Sequence, residues 1–147
     1  MAPVREVYFF TYVDTYECIL PLAAPAYRLG SVLTNTADVR QGVCILKDKK
    51  DNVVGKYIVC KNVTNSDSSY EIQNGVVYNT TFLFNDDSYV MNFQYITFSN
   101  GYPIYQPNKK YVNKAISTGG KYSGKDVTIT VKTDDTPVRK VIIEYEK

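Results

Sequence analysis

The stretch "NTTFLFNDDSYVMNFQYITF", residues 79–98, decides the fold class of this chain. Apolar and aromatic side chains recur at every second position on both sides of the polar segment "NDDS" (85–88). Period-two alternation is typical of β-strands, and a short cluster of Asn, Asp and Ser between two such runs is typical of a turn. The stretch therefore predicts two long antiparallel strands, the first over 76–84 and the second over 89–98.

The same alternation extends along the rest of the chain, and no segment has a convincing helical period. Asn74-Gly75 is a strong hairpin signal, because both residues tolerate positive φ, and Asn100-Gly101 opens a loop. The other predicted strands cover residues 4–13, 41–47, 52–63, 69–73, 111–116, 126–133 and 138–145. Short antiparallel strands in 147 residues predict a single all-β domain over 1–147, either a sandwich or a closed barrel.

Composition narrows the classes of function. A net charge of +2, with lysines scattered through predicted turns, does not favour nucleic-acid binding. The absence of histidine removes the commonest general base and the commonest metal ligand, so we predict no metal and no cofactor. The cysteines Cys18, Cys44 and Cys60 have no C-x-x-C spacing. We expect free thiols in a reducing compartment, with one disulfide plus one thiol as the alternative.

The N-terminal segment "MAPVREVYFFTYVD" (1–14) has only a short apolar run, interrupted by Arg5 and Glu6. It lacks the regions of a signal peptide, and no apolar stretch approaches the roughly 20 residues that span a bilayer. We therefore expect an intracellular chain, or one inside a particle, with no membrane partner.

The first predicted strand is apolar on both faces, unlike strand 126–133, which has one wet face. One face carries Val7, Phe9 and Val13, and the other carries Tyr8, Phe10 and Tyr12. A strand of this kind needs cover on both sides. Either another sheet layer or a second subunit must provide it.

The stretch "AISTGGKYSGKDVTITV" (115–131) contains "GGKYSGKD", which is one residue short of a phosphate-binding loop. Asp126 stands where that loop needs Ser or Thr, and the residues that follow alternate as a strand instead of forming a helix. We therefore predict a turn between two strands, with Gly119, Gly120 and Gly124 at positive φ.

Three stretches, in order, resemble the allene oxide cyclase and dirigent barrels. The glycine stretch 115–131 resembles their late hairpin, "LGSVLTNTADVRQGVCILK" (29–47) resembles their early glycine-rich region, and 79–98 resembles their pair of central strands. The resemblance implies a small antiparallel eight-stranded barrel, often trimeric, with an elongated apolar cavity. It also implies, for the cyclases, catalysis by an acidic residue within the first strand. Here Glu6 and Asp14 flank that strand instead of lying within it, so no catalytic residue is assigned.

Aromatic residues and one methionine are the candidates for the wall of a ligand-binding lumen. They form the core of a filled barrel in one interpretation and line an apolar pocket in the other. These residues are Tyr8, Phe10, Tyr12, Tyr78, Phe82, Phe84, Met91, Phe93 and Tyr95. The acidic pairs Asp86-Asp87 and Asp134-Asp135 fall in predicted turns, where Asp is favoured for local reasons.

We predict a non-catalytic β-barrel with a structural or interaction role. The alternative is a cyclase or isomerase, or a carrier of a small apolar ligand, of the allene oxide cyclase or dirigent kind. The expected partner is a further copy of the chain, and a trimer is favoured. The competing explanation for the first strand is that the connection from Cys18 to Gly30 covers it within one chain.

Overall fold

The computed structural model describes residues 2–11, 17–18, 37–64, 75–97 and 108–147. Within these ranges the chain forms ten β-strands and one three-residue 3-10 helix, Gly120–Tyr122, which confirms the all-β prediction. The strands are β1 (Val4–Thr11), β2 (Glu17–Cys18), β3 (Ala37–Lys47), β4 (Val53–Thr64), β5 (Gly75–Phe84), β6 (Tyr89–Thr97), β7 (Lys110–Lys114), β8 (Ser117–Gly119), β9 (Val127–Thr133) and β10 (Val138–Tyr145). The predicted strand 69–73 and the loop at Asn100 lie outside the described residues.

All pairings within the described residues are antiparallel, and the sheet curls into a half-barrel. The strand order is β7-β9-β10-β1-β3-β4-β5-β6-β8, with β2 pairing β3. The two ends of this order approach each other through the short link between β7 and β8. The Ala115 N–H donates to Val127 O of β9 at 2.9 Å, and the Ile116 N–H donates to Met91 O of β6 at 2.8 Å.

The turn between β5 and β6 is held by its own polar groups. The Phe84 N–H donates to Ser88 O at 2.8 Å, and the Ser88 N–H donates to Asp86 Oδ1 at 2.9 Å. The hydrogen bonds from Ser88 lower the pKa of Asp86, and Asp87 adopts φ 67°. Asp134 has a similar role, since its carboxylate accepts hydrogen bonds from the Thr136 N–H and hydroxyl. Local turn chemistry therefore explains these aspartates.

The concave side of the sheet holds a single hydrophobic cluster. Its aliphatic members come from five strands, and its aromatic members stack through the middle. The buried cluster comprises Phe10, Cys44, Leu46, Tyr57, Val59, Phe82, Phe84, Val90, Tyr122, Val127, Ile129, Val131, Val141 and Ile143. The interior of the described sheet, which has nine strands in its order and not the predicted eight, is thus packed by side chains.

The convex side is covered in one region. Ile142 of β10 faces outward between Val7 of β1 and Thr130 of β9, its cross-strand neighbours. Ile142 is only 3% exposed, Thr130 is also buried, and Val7 and Phe9 are half-buried. Because these values refer to a single chain, the chain itself supplies this cover, and a second subunit is not needed for it.

The glycine stretch forms a turn that leads into β9, as predicted, and no helix follows it. Gly120 and Gly124 have positive φ of 63° and 72°. The prediction of positive φ for Gly119 is wrong, since its backbone is extended at φ −149°. A side chain is excluded at position 119 for a different reason, because a Cβ on Gly119 would overlap the ring of Tyr89.

Gly120 and Gly124 provide a matched pair of substitutions. A Cβ on Gly120 would overlap the Ser88 side chain and lie 2.6 Å from Ser88 Cα, whereas nothing lies within 4 Å of a Cβ on Gly124. We expect Gly124→Ala to lower the free energy of unfolding by about 1–2 kcal/mol, from backbone conformation alone. Gly120→Ala should lower it by about 1–3 kcal/mol more, because overpacking is added. Urea denaturation measures both, and equal losses would contradict the placement of Ser88.

Candidate functional site

Glu6, to which the sequence assigned no role, lies on the inner face of β1. It is the third residue of the strand, opposite Ile143 of β10, and it shares its face with Tyr8 and Phe10. The interpretation that Glu6 lies outside the strand is therefore wrong, because β1 already begins at Val4. The Glu6 side chain is 19% exposed.

Three donors surround the Glu6 carboxylate. The Tyr122 hydroxyl donates to Oε1 at 2.5 Å. The Lys121 ammonium donates to Oε2 at 3.0 Å, and the Tyr145 hydroxyl lies 3.3 Å from the same oxygen. Lys121 and Tyr122 belong to the 3-10 helix of the glycine stretch. This stretch, which resembles a phosphate-binding loop in sequence, therefore contacts the Glu6 carboxylate of the first strand.

The glycine turn is fixed in place from its other side as well. The Lys121 backbone N–H donates to the buried Ser88 Oγ at 3.1 Å, and Gly120 approaches Ser88 too closely for any side chain. The Lys121 ammonium lies 5.0 Å from the centre of the Tyr122 ring and 5.4 Å from that of Phe84. These contacts hold the Tyr122 hydroxyl and the Lys121 ammonium against Glu6.

Burial keeps the tyrosines of this cluster protonated. The Tyr122 side chain is fully buried and packs edge-on against Tyr145, with ring centres 5.2 Å apart. Desolvation, with the hydrogen bond to Glu6 and the charges of Tyr8 and Glu6 as further causes, raises the pKa of Tyr122 far above its usual range. Desolvation and the Glu6 charge also raise the pKa of Tyr8 and of Tyr145.

The arrangement favours a structural role for the carboxylate. An ionised carboxylate has about four acceptor positions, and three donors of the chain engage them here. Both Glu6 oxygens already accept hydrogen bonds from side chains of the same chain. Glu6 therefore serves as an acceptor that joins β1, the 3-10 helix and β10.

Four of the predicted lumen residues do come together inside the sheet. Phe10 stacks on Tyr57 with ring centres 4.1 Å apart, and Tyr57 lies 5.1 Å from Phe82. Tyr8 and Phe84 form a second contact at 5.0 Å, which continues to Tyr122 at 5.7 Å. This packing agrees with the filled-core interpretation of these four residues. Sequence reasoning missed Tyr57, although its alternation with Val59 marks the same face.

Met91 and Phe93 are on the other face, which corrects their assignment to a common lumen. The hairpin register pairs Phe82 with Val90 and Thr81 with Met91, so the inner residues of β6 are Val90 and Asn92. Phe93 is 52% exposed. Tyr12 lies outside the described residues, and Tyr78 and Tyr95 belong to β5 and β6, where only their backbone is described.

A buried polar pair takes the place of the expected aromatic on β6. The Thr80 hydroxyl donates to Asn92 Oδ1 across the β5–β6 pairing, and both residues are buried. Buried polar groups are tolerated when they are hydrogen-bonded to each other. The interior is therefore polar at this point of the hairpin.

An apolar groove of about 590 Å³ opens where β1 and β3 diverge. The two strands are paired at Phe9 and Lys47. The groove residues come from β1, β3, the turn after β3, and the start of β10. They are Phe9, Phe10, Thr11, Val43, Cys44, Ile45, Lys47, Asp48, Lys49, Asp51 and Val138.

Among the described ranges, no group of three or more Cys, Asp or Glu side chains is arranged to hold a metal ion. No helix in the described part of the chain is both long enough and apolar enough to cross a membrane. Cys44 is buried in the core opposite Tyr57, and Cys60 is a half-buried thiol opposite Gln41.

Tyr122→Phe and Tyr145→Phe test the Glu6 cluster as a pair. Hydrogen bonds to a charged group contribute roughly 1.5–3 kcal/mol each, and a longer bond contributes less. We expect Tyr122→Phe to lower the free energy of unfolding by about 1.5–3 kcal/mol and Tyr145→Phe to lower it by less than about 1 kcal/mol. Chemical denaturation gives both values. A larger effect for Tyr145→Phe would contradict the geometry.

The raised pKa values of these tyrosines predict a loss of stability in alkali. Above about pH 10 the unfolded chain releases its phenolic protons while folded Tyr8 and Tyr122 retain theirs. The unfolded state then binds fewer protons than the folded state. The contribution of these tyrosines to the free energy of unfolding is therefore constant below about pH 10 and falls as the pH rises above it. In Tyr122→Phe the fall should be shallower. Denaturation curves between pH 8 and about pH 11.5 measure the slope, and an unchanged slope in the variant would contradict the assignment.

No protein-family model matches this chain, and no curated protein matches it significantly.

Proposed function

We propose that this chain is a non-catalytic β-barrel protein with an interaction role, and that it associates with further copies of itself. The surface that we assign to this contact is the convex face of β3, β4, β5 and β6, called here the outer apolar face. The orientation of β6 is the observation that carries the proposal. This strand directs Met91 and Phe93 outward and Asn92 inward, against what its own pattern of hydrophobicity favours.

One row of side chains crosses all four strands of the outer apolar face. Val43 pairs with Ile58, Ile58 with Thr81, and Thr81 with Met91, so these side chains form one row. The exposed apolar residues at the two sides of this row are Ile45 and Phe93. Val43 is 56% exposed and Ile45 is 58% exposed. Thr81 in this row and Asn79, which pairs with Phe93, are the polar residues among them. Exposed apolar side chains on one face of a sheet favour an interaction site in soluble proteins.

Charge favours a second copy as the occupant. The charged residues among the described side chains of this face are Lys56, between Ile45 and Leu83 in register, and Lys47 at the end of β3, which forms an ion pair with Asp51. The cores of homo-oligomeric interfaces are apolar and depleted of charge, and an isologous contact needs a surface that fits itself. Covering Val43, Ile45 and Phe93 would contribute on the order of 2–5 kcal/mol, since each is about half exposed.

The interface proposed here differs from the one suggested by the first strand. The convex side at Ile142, Val7 and Thr130 is already covered within one chain. Self-association therefore rests on the outer apolar face. The resemblance to allene oxide cyclase and dirigent barrels implies a trimer, and this is the stoichiometry that we expect.

The interior supports a non-catalytic role over a cyclase, an isomerase or a lumen carrier. Phe10, Tyr57 and Phe82 occupy the middle of the described interior in mutual contact. The acidic side chain on the inner face of the first strand, Glu6, has its oxygens engaged by Lys121 and Tyr122. A substrate would have to displace these contacts.

Phe93→Glu tests the proposed interface. We expect the wild-type chain to sediment as an oligomer at tens of micromolar, and Phe93→Glu to sediment as the 16.7 kDa monomer, because a charge is placed in the apolar contact. Val112→Glu is the control, since Val112 is equally exposed but lies on β7, outside the face. Circular dichroism checks that both variants fold. A wild-type monomer, or dissociation by Val112→Glu alone, would overturn the proposal.

A further inference from the structure

Three lysines stand side by side on the convex side of β7, β9 and β10. Lys110 pairs with Lys132, and Lys132 pairs with Lys140, so the three residues form one row across adjacent strands, called here the lysine row. They share the outer face of Thr130 and Ile142, which lie two positions away along β9 and β10. Lys110 and Lys132 are exposed, and Lys140 is half-buried.

The backbone hydrogen bonds set the spacing of the lysine row. The Thr133 N–H donates to Lys109 O at 2.9 Å, so the odd-numbered residues form the hydrogen-bonded pairs of β7 and β9. Lys110 and Lys132 are therefore a non-hydrogen-bonded pair, with Cα atoms about 4.5 Å apart. Lys132 and Lys140 form a hydrogen-bonded pair, with Cα atoms about 5.5 Å apart. Three ammonium groups thus originate within about 10 Å of one another.

This arrangement opposes folding. Like charges directly opposite each other on neighbouring strands are destabilising, and none of the carboxylates in the described ranges forms an ion pair with the lysine row. An acidic residue in place of Lys132 would form two favourable cross-strand pairs instead of two unfavourable ones. A local arrangement that weakens the fold is expected at functional surfaces.

The acidic residues at the turn between β9 and β10 do not neutralise the row. Asp134 and Asp135 are negative, and Arg139 and Lys109 supply two positive charges at the same end of the strands. The Arg139 guanidinium donates to a carbonyl of this turn at 2.8 Å. The side-chain amide of Asn108, next to Lys109, donates to Asp135 at 2.8 Å. The turn is therefore balanced without the three lysines.

The opposite end of the same face is balanced as well. Lys114 forms an ion pair with Asp126 at 3.3 Å. Glu144 is four residues from Lys140 along β10 and lies opposite Arg5 of β1. Among the described side chains of this face, the lysine row is therefore the charge that is not compensated.

Exposed apolar side chains flank the row on the same face. Val112 follows Lys110 by two residues and is 54% exposed, and Val138 precedes Lys140 by two residues and is 40% exposed. A convex face favours a macromolecule over a small ligand, since small-molecule sites are concave. Neither a nucleic acid nor a polysaccharide has apolar side chains that cover valines, and three lysines are fewer than the roughly 4–8 of membrane-binding clusters.

We propose that the lysine row binds an acidic segment of a partner protein, in which apolar residues are interspersed among Asp and Glu. Acidic side chains would lie over Lys110, Lys132 and Lys140, and apolar ones would cover Val112 and Val138. The row lies on β7, β9 and β10, whereas the outer apolar face lies on β3 to β6. The proposed partner is therefore additional to the second copy of the chain.

A labelled ten-residue peptide, with leucine at every third position and glutamate elsewhere, tests the proposal by fluorescence anisotropy. It should bind at low salt, and binding should weaken as salt is raised, because exposed charge pairs are screened. One analogue carries glutamine in place of glutamate, and another carries serine in place of leucine. Each analogue should bind more weakly than the parent peptide.

Lys132→Glu and Lys147→Glu separate the row from net charge. Both substitutions change the charge equally, but Lys147 is an exposed residue at the end of the chain, beyond β10. We expect Lys132→Glu to weaken peptide binding about fivefold at low salt and Lys147→Glu to weaken it less than twofold. Lys132→Glu should also raise the melting temperature by a few degrees, because two like-charge pairs become opposite-charge pairs.

Peptide binding should persist in Phe93→Glu, so the failure of one proposal is distinguishable from the failure of the other. Absence of peptide binding, or equal effects of Lys132→Glu and Lys147→Glu on it, would overturn the proposal. Tighter binding of oligothymidylate or of phosphatidylserine vesicles than of the peptide would overturn the choice of partner. A melting temperature of Lys132→Glu at or below that of wild type would contradict the repulsion within the lysine row.

Discussion

The hydrogen bond from Tyr122 to Glu6 joins two parts of the chain that are 116 residues apart, and much of the local structure is arranged around it. A tyrosine with no exposed surface needs an acceptor for its hydroxyl, because an unpaired buried hydroxyl is costly. The acceptor is a carboxylate, which needs donors of its own. Lys121 and Tyr145 supply them. Each group thus satisfies the other, and neither could be buried alone.

This requirement explains the glycines better than phosphate binding does. For Tyr122 to reach Glu6, the chain must turn sharply after β8 and pass close to Ser88 and Tyr89 of the β5–β6 hairpin. Gly119 makes room for the Tyr89 ring, and Gly120 makes room for Ser88 with a positive φ. A resemblance to a nucleotide motif therefore arises from a packing constraint combined with a turn.

The sequence predicted the elements that depend on neighbouring residues and missed those that depend on distant ones. Strands β5 and β6 were predicted to within a residue or two, because alternation and turn chemistry are local signals. The role of Glu6 was not predictable, since its partners are separated from it by more than a hundred residues. The prediction that Met91 and Phe93 face the interior was wrong. Alternation tells which residues share a face within one strand, whereas the hairpin register decides which face is inside.

The wrong prediction for Met91 and Phe93 concerns the feature of the chain that most needs a functional explanation. In β6 the larger side chains, Met91 and Phe93, alternate with Val90 and Asn92, and burial in the core would favour the larger set inside. The register of the β5–β6 hairpin instead places Met91 and Phe93 outside and Asn92 inside. The Thr80 hydroxyl of β5 donates a hydrogen bond to the amide oxygen of Asn92. A local preference that is overridden without benefit to the core is expected at functional surfaces. An apolar outer surface obtained at the cost of a polar interior fits the proposed contact with another molecule, and Phe93 lies at the β6 side of this surface.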